Sequence, residues 1–140
     1  MLFRKLDDIV EEEKFVPNVL KIDTDGFDFK VLRGCGNILH TFRPVIFFEW
    51  WSIRLKEIGE DPIDIFRYLS GFGYKQALLF DNYGNELISC HVGDVENLRM
   101  LSQYSCDYAN QIRHYDVLLF HEDSSLGIEG FRKWCSRNCV

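Results

Sequence analysis

Long apolar runs are missing from this sequence. The longest, such as Val45 to Phe48, stop at four residues, far short of the ~18–20 that a membrane span requires. The N-terminus, MLFRKLDD, lacks the apolar core of a secretory signal, so no membrane partner is expected and the chain reads as soluble and cytoplasmic. An excess of positive charge is missing too. Sixteen Lys and Arg stand against 22 Asp and Glu, a net charge of −6, the wrong sign for neutralising phosphates, which argues against nucleic acid as a partner. Proline is scarce, and no Pro/Gly/Ser-rich linker, low-complexity segment or internal repeat marks a boundary. The cysteines, Cys35, Cys90, Cys106, Cys135 and Cys139, form no C-x-x-C pair of the zinc type. Reduced thiols fit this usage best. Cys135 and Cys139 lie one helical turn apart, but a small buried hydrophobe is the commoner role of a free cysteine.

What is present is an ordinary globular composition: 140 residues, 46% hydrophobic and 27% charged, enough for one domain with a single core and no staples. Leu6, Ile9 and Val10 share one face of a short helix over 6–13, with Pro17 following. A strand, Val19 to Ile22, leads into Asp23-Thr24-Asp25-Gly26. Phe27, Val31, Cys35, Ile38 and Phe42 keep the spacing of one helix face, weakened by Gly34 and Gly36. Val45 to Phe48 reads as a strand covered on both faces. Asp61 and Pro62 open a helix through Ile65, Phe66 and Leu69 that Gly71 and Gly73 stop. Lys75 to Phe80 and Glu86 to Cys90 flank the loop DNYGN, a hairpin composition. Asp94 caps a further helix containing Val95, Leu98, Leu101 and Tyr104, and Asp116 to Phe120 is a last strand before a helix around Phe131 and Trp134. Strands alternating with helices predict an α/β fold with a mainly parallel sheet and an antiparallel edge.

In open α/β sheets the ligand site lies beyond the carboxyl ends of the strands. The residues there are acidic. The first strand is followed by Asp23, Asp25 and Asp28, the second by Glu49 with Trp50 and Trp51, and the last by His121, Glu122 and Asp123. Converging carboxylates can hold Mg²⁺ or divide into a base and an orienting group. For Asp23 and Asp25 function outweighs a purely local turn role, because adjacent carboxylates beside an apolar strand are costly without a ligand. For His121, Glu122 and Asp123 the turn role is preferred.

The stretch VLKIDTDGFDFKVLRG from Val19 to Gly34, followed by RPVIFFE from Arg43 to Glu49, resembles the C-terminal half of the FkbM family of S-adenosylmethionine-dependent methyltransferases. That family's pattern is a strand reading K-I-D-x-E-G or its Asp variant, an acidic residue, V-L-x-G, and a Pro-led strand ending in Glu. Leu6-Asp7-Asp8-Ile9 resembles the family's segment T-L-D-D-L, and the likeness spans residues 4–74. The resemblance implies a Rossmann-like fold of the class I methyltransferase type. It also implies methyl transfer to a hydroxyl, on a sugar, glycan or similar small molecule. Asp23 would then lie at the cofactor, beside the transferred methyl, with Asp25, Asp28 and Glu49 positioning the acceptor, withdrawing its proton or holding a cation.

Methyltransferases of this fold bind the cofactor with a glycine-rich turn after the first strand and an acidic residue after the second. Neither is found here, since Gly34 and Gly36 fall in a helical stretch. The chain therefore resembles a partial domain over residues 1–140, the C-terminal half only, using S-adenosylmethionine when a cofactor-binding half complements it. The strand Val19 to Ile22 then becomes an edge with Lys21 as its one charge, which predicts a homodimer or a complementing segment. Two other readings use the same residues. One is a haloacid-dehalogenase-like phosphatase, with Asp23 as nucleophile, Asp25 as acid/base and Mg²⁺ between them. The other is a non-catalytic α/β interaction domain.

Overall fold

The computed structural model describes residues 3–138; Cys139, and with it the less favoured alternative of its meeting Cys135, lies outside them. The elements follow the punctuation of the sequence. Helix α1 (Leu6–Glu13) ends where Lys14 turns left-handed at φ 55°, ahead of Pro17. Strand β1 (Val19–Ile22) follows, then α2 (Asp28–Arg33), α3 (Gly36–Thr41), β2 (Val45–Trp50), α4 (Ser52–Glu57) and α5 (Asp64–Ser70). The hairpin β3 (Tyr74–Asp81) and β4 (Glu86–His91) precedes α6 (Val95–Asp107), β5 (Tyr115–His121) and α7 (Gly127–Asn138).

Two local expectations change. The helix face running from Phe27 to Phe42 is two helices, broken at Gly34 and Cys35, where glycine weakens helical backbone on either side. The cap of α3 comes from a distance: Asp7 of α1 accepts hydrogen bonds from the backbone N–H groups of Asn37 (2.9 Å) and Ile38 (3.0 Å), donors that a helix start leaves unpaired. Asp61 does accept from the N–H of Ile63 at 3.0 Å, but the residues after it form a turn and α5 begins at Asp64. By contrast Asp94 caps α6 as its sequence predicts, accepting from Asn97 N–H.

The fold is α/β, and the described residues form five strands in the order β1-β2-β5-β3-β4. The expectation of a mainly parallel sheet is corrected. Among the described residues only β1 and β2 pair in parallel, whereas β2–β5, β5–β3 and β3–β4 are antiparallel. The reason is the return path. After β4 the 13 residues of α6 carry the chain back roughly 20 Å, about the length of a six-residue strand. β5 therefore enters at the rim where β2 ends and runs against both neighbours. β1, β2 and β3 still point the same way.

Side chains of β2 alternate, with Ile46, Phe48 and Trp50 wholly buried on one face. On that face they meet Leu20 and Ile22 of β1, Val117 and Leu119 of β5, and the apolar sides of the helices from α1 to α6. Trp50 is central: its ring meets Phe66 edge to face at 4.8 Å and Tyr115 at 5.5 Å, and its Nε1–H donates to the carbonyl of Pro62 at 2.9 Å. The opposite face has a thinner cover. Leu78, Leu118 and Phe120 pack with Phe47, Ile128 and Phe131 beneath α7, while Val19 at the β1 edge is 64% exposed. The run Val45 to Phe48 is thus sealed on one face and only half-covered on the other.

Replacing Trp50 by Ala removes a buried ring and strands the Pro62 carbonyl, so Trp50→Ala is expected to lower unfolding stability by ~3–5 kcal/mol. Urea unfolding that shows a loss under ~1 kcal/mol would show that this cluster does not anchor the core.

Candidate active site

The parallel register of β1 and β2 sets Ile22 opposite Phe48. Asp23 and Glu49 therefore leave the sheet side by side at one rim, and Asp25 and Asp28 follow in the connection to α2. The turn is tight. Asp25 is left-handed at φ 51°, a conformation Asp tolerates better than most residues, and Gly26 follows at φ 94°. A Cβ on Gly26 would stand 2.3 Å from Cγ of Arg54, because the stem of that α4 side chain lies across the turn.

Asp28 is the buried member of the set. Its Oδ2 accepts from the Thr24 hydroxyl at 3.0 Å and the Gly26 N–H at 3.3 Å, and its Oδ1 accepts from the Glu49 N–H at 3.4 Å. One carboxylate thereby ties the β1 turn to the end of β2. Asp23 is exposed and pairs with Lys21 at 3.4 Å, an interaction worth little in open water.

Glu49 faces a different setting. Its side chain is only 12% exposed, and Oε1 lies 3.0 Å from Nδ1 of His114, itself 19% exposed. The two atoms lie close without forming a hydrogen bond, and among the described residues neither the buried His114 Nδ1 nor the buried Glu49 Oε2 has a hydrogen-bond partner. Burial, then the charges of Asp28, Asp23, Asp25 and Asp116, push the Glu49 carboxyl up to about 7. Burial likewise pushes the His114 imidazole below its ordinary value, helped by Arg113 and opposed by Asp116, Asp23 and Asp28. Asp116 sits opposite Glu49 on β5 and is raised by its own burial. The outcome is a carboxyl poised to gain or lose a proton near neutrality beside an imidazole held neutral.

Asp23, Asp25, Asp28 and Glu49 thus gather at one rim, as their sequence positions predict. His121, Glu122 and Asp123 do not join them. β5 runs backwards, so its carboxyl end lies with Tyr74 at the opposite rim, where Arg43 pairs with Asp123 at 2.7 Å. The residues missed are His114 and Asp116, at the amino end of β5. Their signal is plain once the direction of β5 is known: an imidazole and a carboxylate just before an apolar run. The metal role expected for Asp23 and Asp25 finds no support, because among the described residues no group of three or more His, Cys, Asp or Glu is arranged to hold an ion.

The family model of the methyltransferase FkbM domain matches residues 4–76, which takes in α1, β1, the acidic turn, β2 and the start of β3. The chain belongs to the FkbM methyltransferase domain family. Comparison with curated proteins gives no match. The family implies S-adenosylmethionine, but the described residues do not make a cradle for it. Gly34 follows α2 and Gly36 opens α3, neither after a strand, and Gly26 is occupied by the Arg54 stem. Asp23, the residue expected at the cofactor, is in open solvent with Lys21.

The Glu49 carboxyl holds its proton more tightly folded than unfolded, so its penalty on stability is absent below the ordinary carboxyl value near 4.5 and grows as pH rises toward about 7. His114 acts in the opposite direction, and stability falls as pH drops through its unfolded value of 6.5. Glu49→Gln should therefore flatten the fall in stability between these two carboxyl values. Chemical unfolding across that window tests this, and equal slopes for variant and parent would refute it.

Proposed function

We propose that the chain is the acceptor-side part of an S-adenosylmethionine-dependent O-methyltransferase acting on a hydroxyl of a sugar, glycan or similar small molecule. The observation that carries this reading is the Glu49–His114 pair at the rim of an FkbM domain. Methylating a hydroxyl requires that its proton be taken. Glu49, near 7 and with its side chain 12% exposed, is suited to accept it at neutral pH. Asp28 fixes the end of β2 on which Glu49 stands, and Asp23, Asp25 and Asp116 keep the carboxyl basic. The cofactor must be held by a glycine-rich turn supplied from elsewhere, so this chain's own part is to bind and orient the acceptor and to take its proton. A phosphatase reading has less support, since it needs Mg²⁺ between Asp23 and Asp25.

The test is to join the cofactor-binding half of an intact family member ahead of Leu6 and follow labelled methyl from S-adenosylmethionine to a panel of sugars. Transfer is expected, with Glu49→Gln lowering it by about 100-fold or more. A fusion that binds the cofactor and methylates nothing would overturn the reading. The 140-residue chain alone is expected to give no calorimetric signal of micromolar S-adenosylmethionine binding; such a signal would locate a cradle within it.

The same reading bears on association. Among the described residues β1 pairs on one side only, Val19 and Lys21 are exposed on it, and a strand edge of this kind is a template for another chain. A second copy or a complementing segment is proposed to add there. Light scattering at tens of micromolar, the order of magnitude where exposed edges associate, should show a dimer or larger species, and a stable monomer would contradict this.

A further inference from the structure

A hollow of about 590 Å³ opens between the start of α1 and the exposed side of α2. That volume falls within the ~300–1,000 Å³ of small-molecule sites. Two kinds of side chain form its walls. Phe3, Leu6, Ile9, Phe27 and Val31 are apolar, while Arg4, Lys5 and Lys30 supply the charge. Glu49 and His114 do not border it.

The two walls are joined before any ligand arrives. The Asp7 N–H donates to the Gly34 carbonyl at 3.2 Å, which docks the start of α1 on the end of α2, and the Asp7 carboxylate ties α1 to α3 as well. Gly34 permits this approach: a Cβ there would stand 3.2 Å from the Val31 carbonyl oxygen and 3.9 Å from Cα of Lys5. The apolar wall is left open to water. Phe3 is 84% and Phe27 43% exposed, so a ligand that covers these rings removes apolar surface from water, which favours binding.

Charge selects among apolar ligands. The chain carries a net charge of −6, yet among the described residues this lining has three cations and no carboxylate. Arg4 is paired with Glu12, so the charge offered to a ligand comes from Lys5 and Lys30. The Lys30 ammonium lies 5.1 Å over the Phe27 ring, a position from which its flexible stem can turn to an anion. Thr24 closes one end of the hollow, and its chain neighbours Asp23 and Asp25 oppose a negative group there. A carboxylate is therefore directed to the Lys5 and Lys30 side. A molecule polar all round would leave its hydroxyls against the apolar wall without partners, and a cation would find no carboxylate on the lining.

We propose that this hollow binds a monoanion with an apolar body, an aryl or medium-chain acyl carboxylate, its carboxylate at Lys5 and Lys30 and its body against Phe3, Phe27 and Val31. The site stands independently of the methyl-transfer reading. The test is an amide NMR titration of the chain with 2-naphthoate and octanoate, alongside their neutral counterparts 2-naphthalenemethanol and 1-octanol. At least one carboxylate should shift the Leu6, Ile9, Phe27, Val31 and Gly34 signals with a Kd of about 1 mM or tighter, and its alcohol should bind about fivefold more weakly. Phe27→Ala, at an exposed position, should weaken the carboxylate and the alcohol alike by about fivefold. Lys5→Gln combined with Lys30→Gln, both exposed, should abolish the preference for the carboxylate and leave the alcohol within about twofold of its parent affinity. Absence of shifts with both carboxylates up to about 10 mM, shifts confined to another face, equal binding of acid and alcohol by the parent chain, or a preference that survives in the lysine variant would each overturn the proposal. The parent chain with its four probes decides the matter even where a variant fails to fold. No methyl donor is present, so the result does not bear on the fusion experiment.

Discussion

A buried carboxylate beside the end of a strand must be given donors, and at Asp28 they come from three places in the chain: the Thr24 hydroxyl, the Gly26 amide and the Glu49 amide. The geometry of the rim depends on this one arrangement. Satisfying Asp28 pulls the β1 turn over the end of β2 and forces Asp25 and Gly26 into left-handed conformations. It also sets a second carboxyl beside Glu49, whose own burial, then the charge of Asp28, disfavours its ionised form. The same contact that orders the turn therefore adds to burial in raising the proton affinity of the neighbouring side chain.

The second determinant is the direction of β5. Because it descends between β2 and β3, its first residues reach the rim that β1 and β2 reach with their last. An imidazole thereby enters a site otherwise made of carboxylates. Had β5 run parallel, His121 would have occupied that rim, with Glu122 and Asp123 beside it.

Much of this was legible in the sequence, and the rest was hidden for identifiable reasons. Asp23, Asp25, Asp28 and Glu49 could be grouped because β1 and β2 are parallel, and the rule about strand ends holds for such pairs. The hairpin loop and the Asp94 cap are written in local residue choices. His114 and Asp116 were hidden because strand direction is decided by the packing of α6 and not by any residue near them. The break at Gly34 was visible only as weakness, since apolar spacing from Phe27 to Phe42 stays in phase across it. The short α4 was missed because Ser52–Glu57 directly follows β2 without a capping side chain.

The cap that Asp7 provides to α3 has a consequence for how the protein assembles. A six-residue helix cannot persist by itself, because nucleation costs more than so few backbone hydrogen bonds return. Its first amides here are satisfied only by a side chain thirty residues earlier in the sequence. Order in α3 is thus borrowed from α1: the two must dock to form and must part to unfold. Amide protons at the start of α3 would exchange only when α1 lifts away, so two segments far apart in the sequence behave as one cooperative unit.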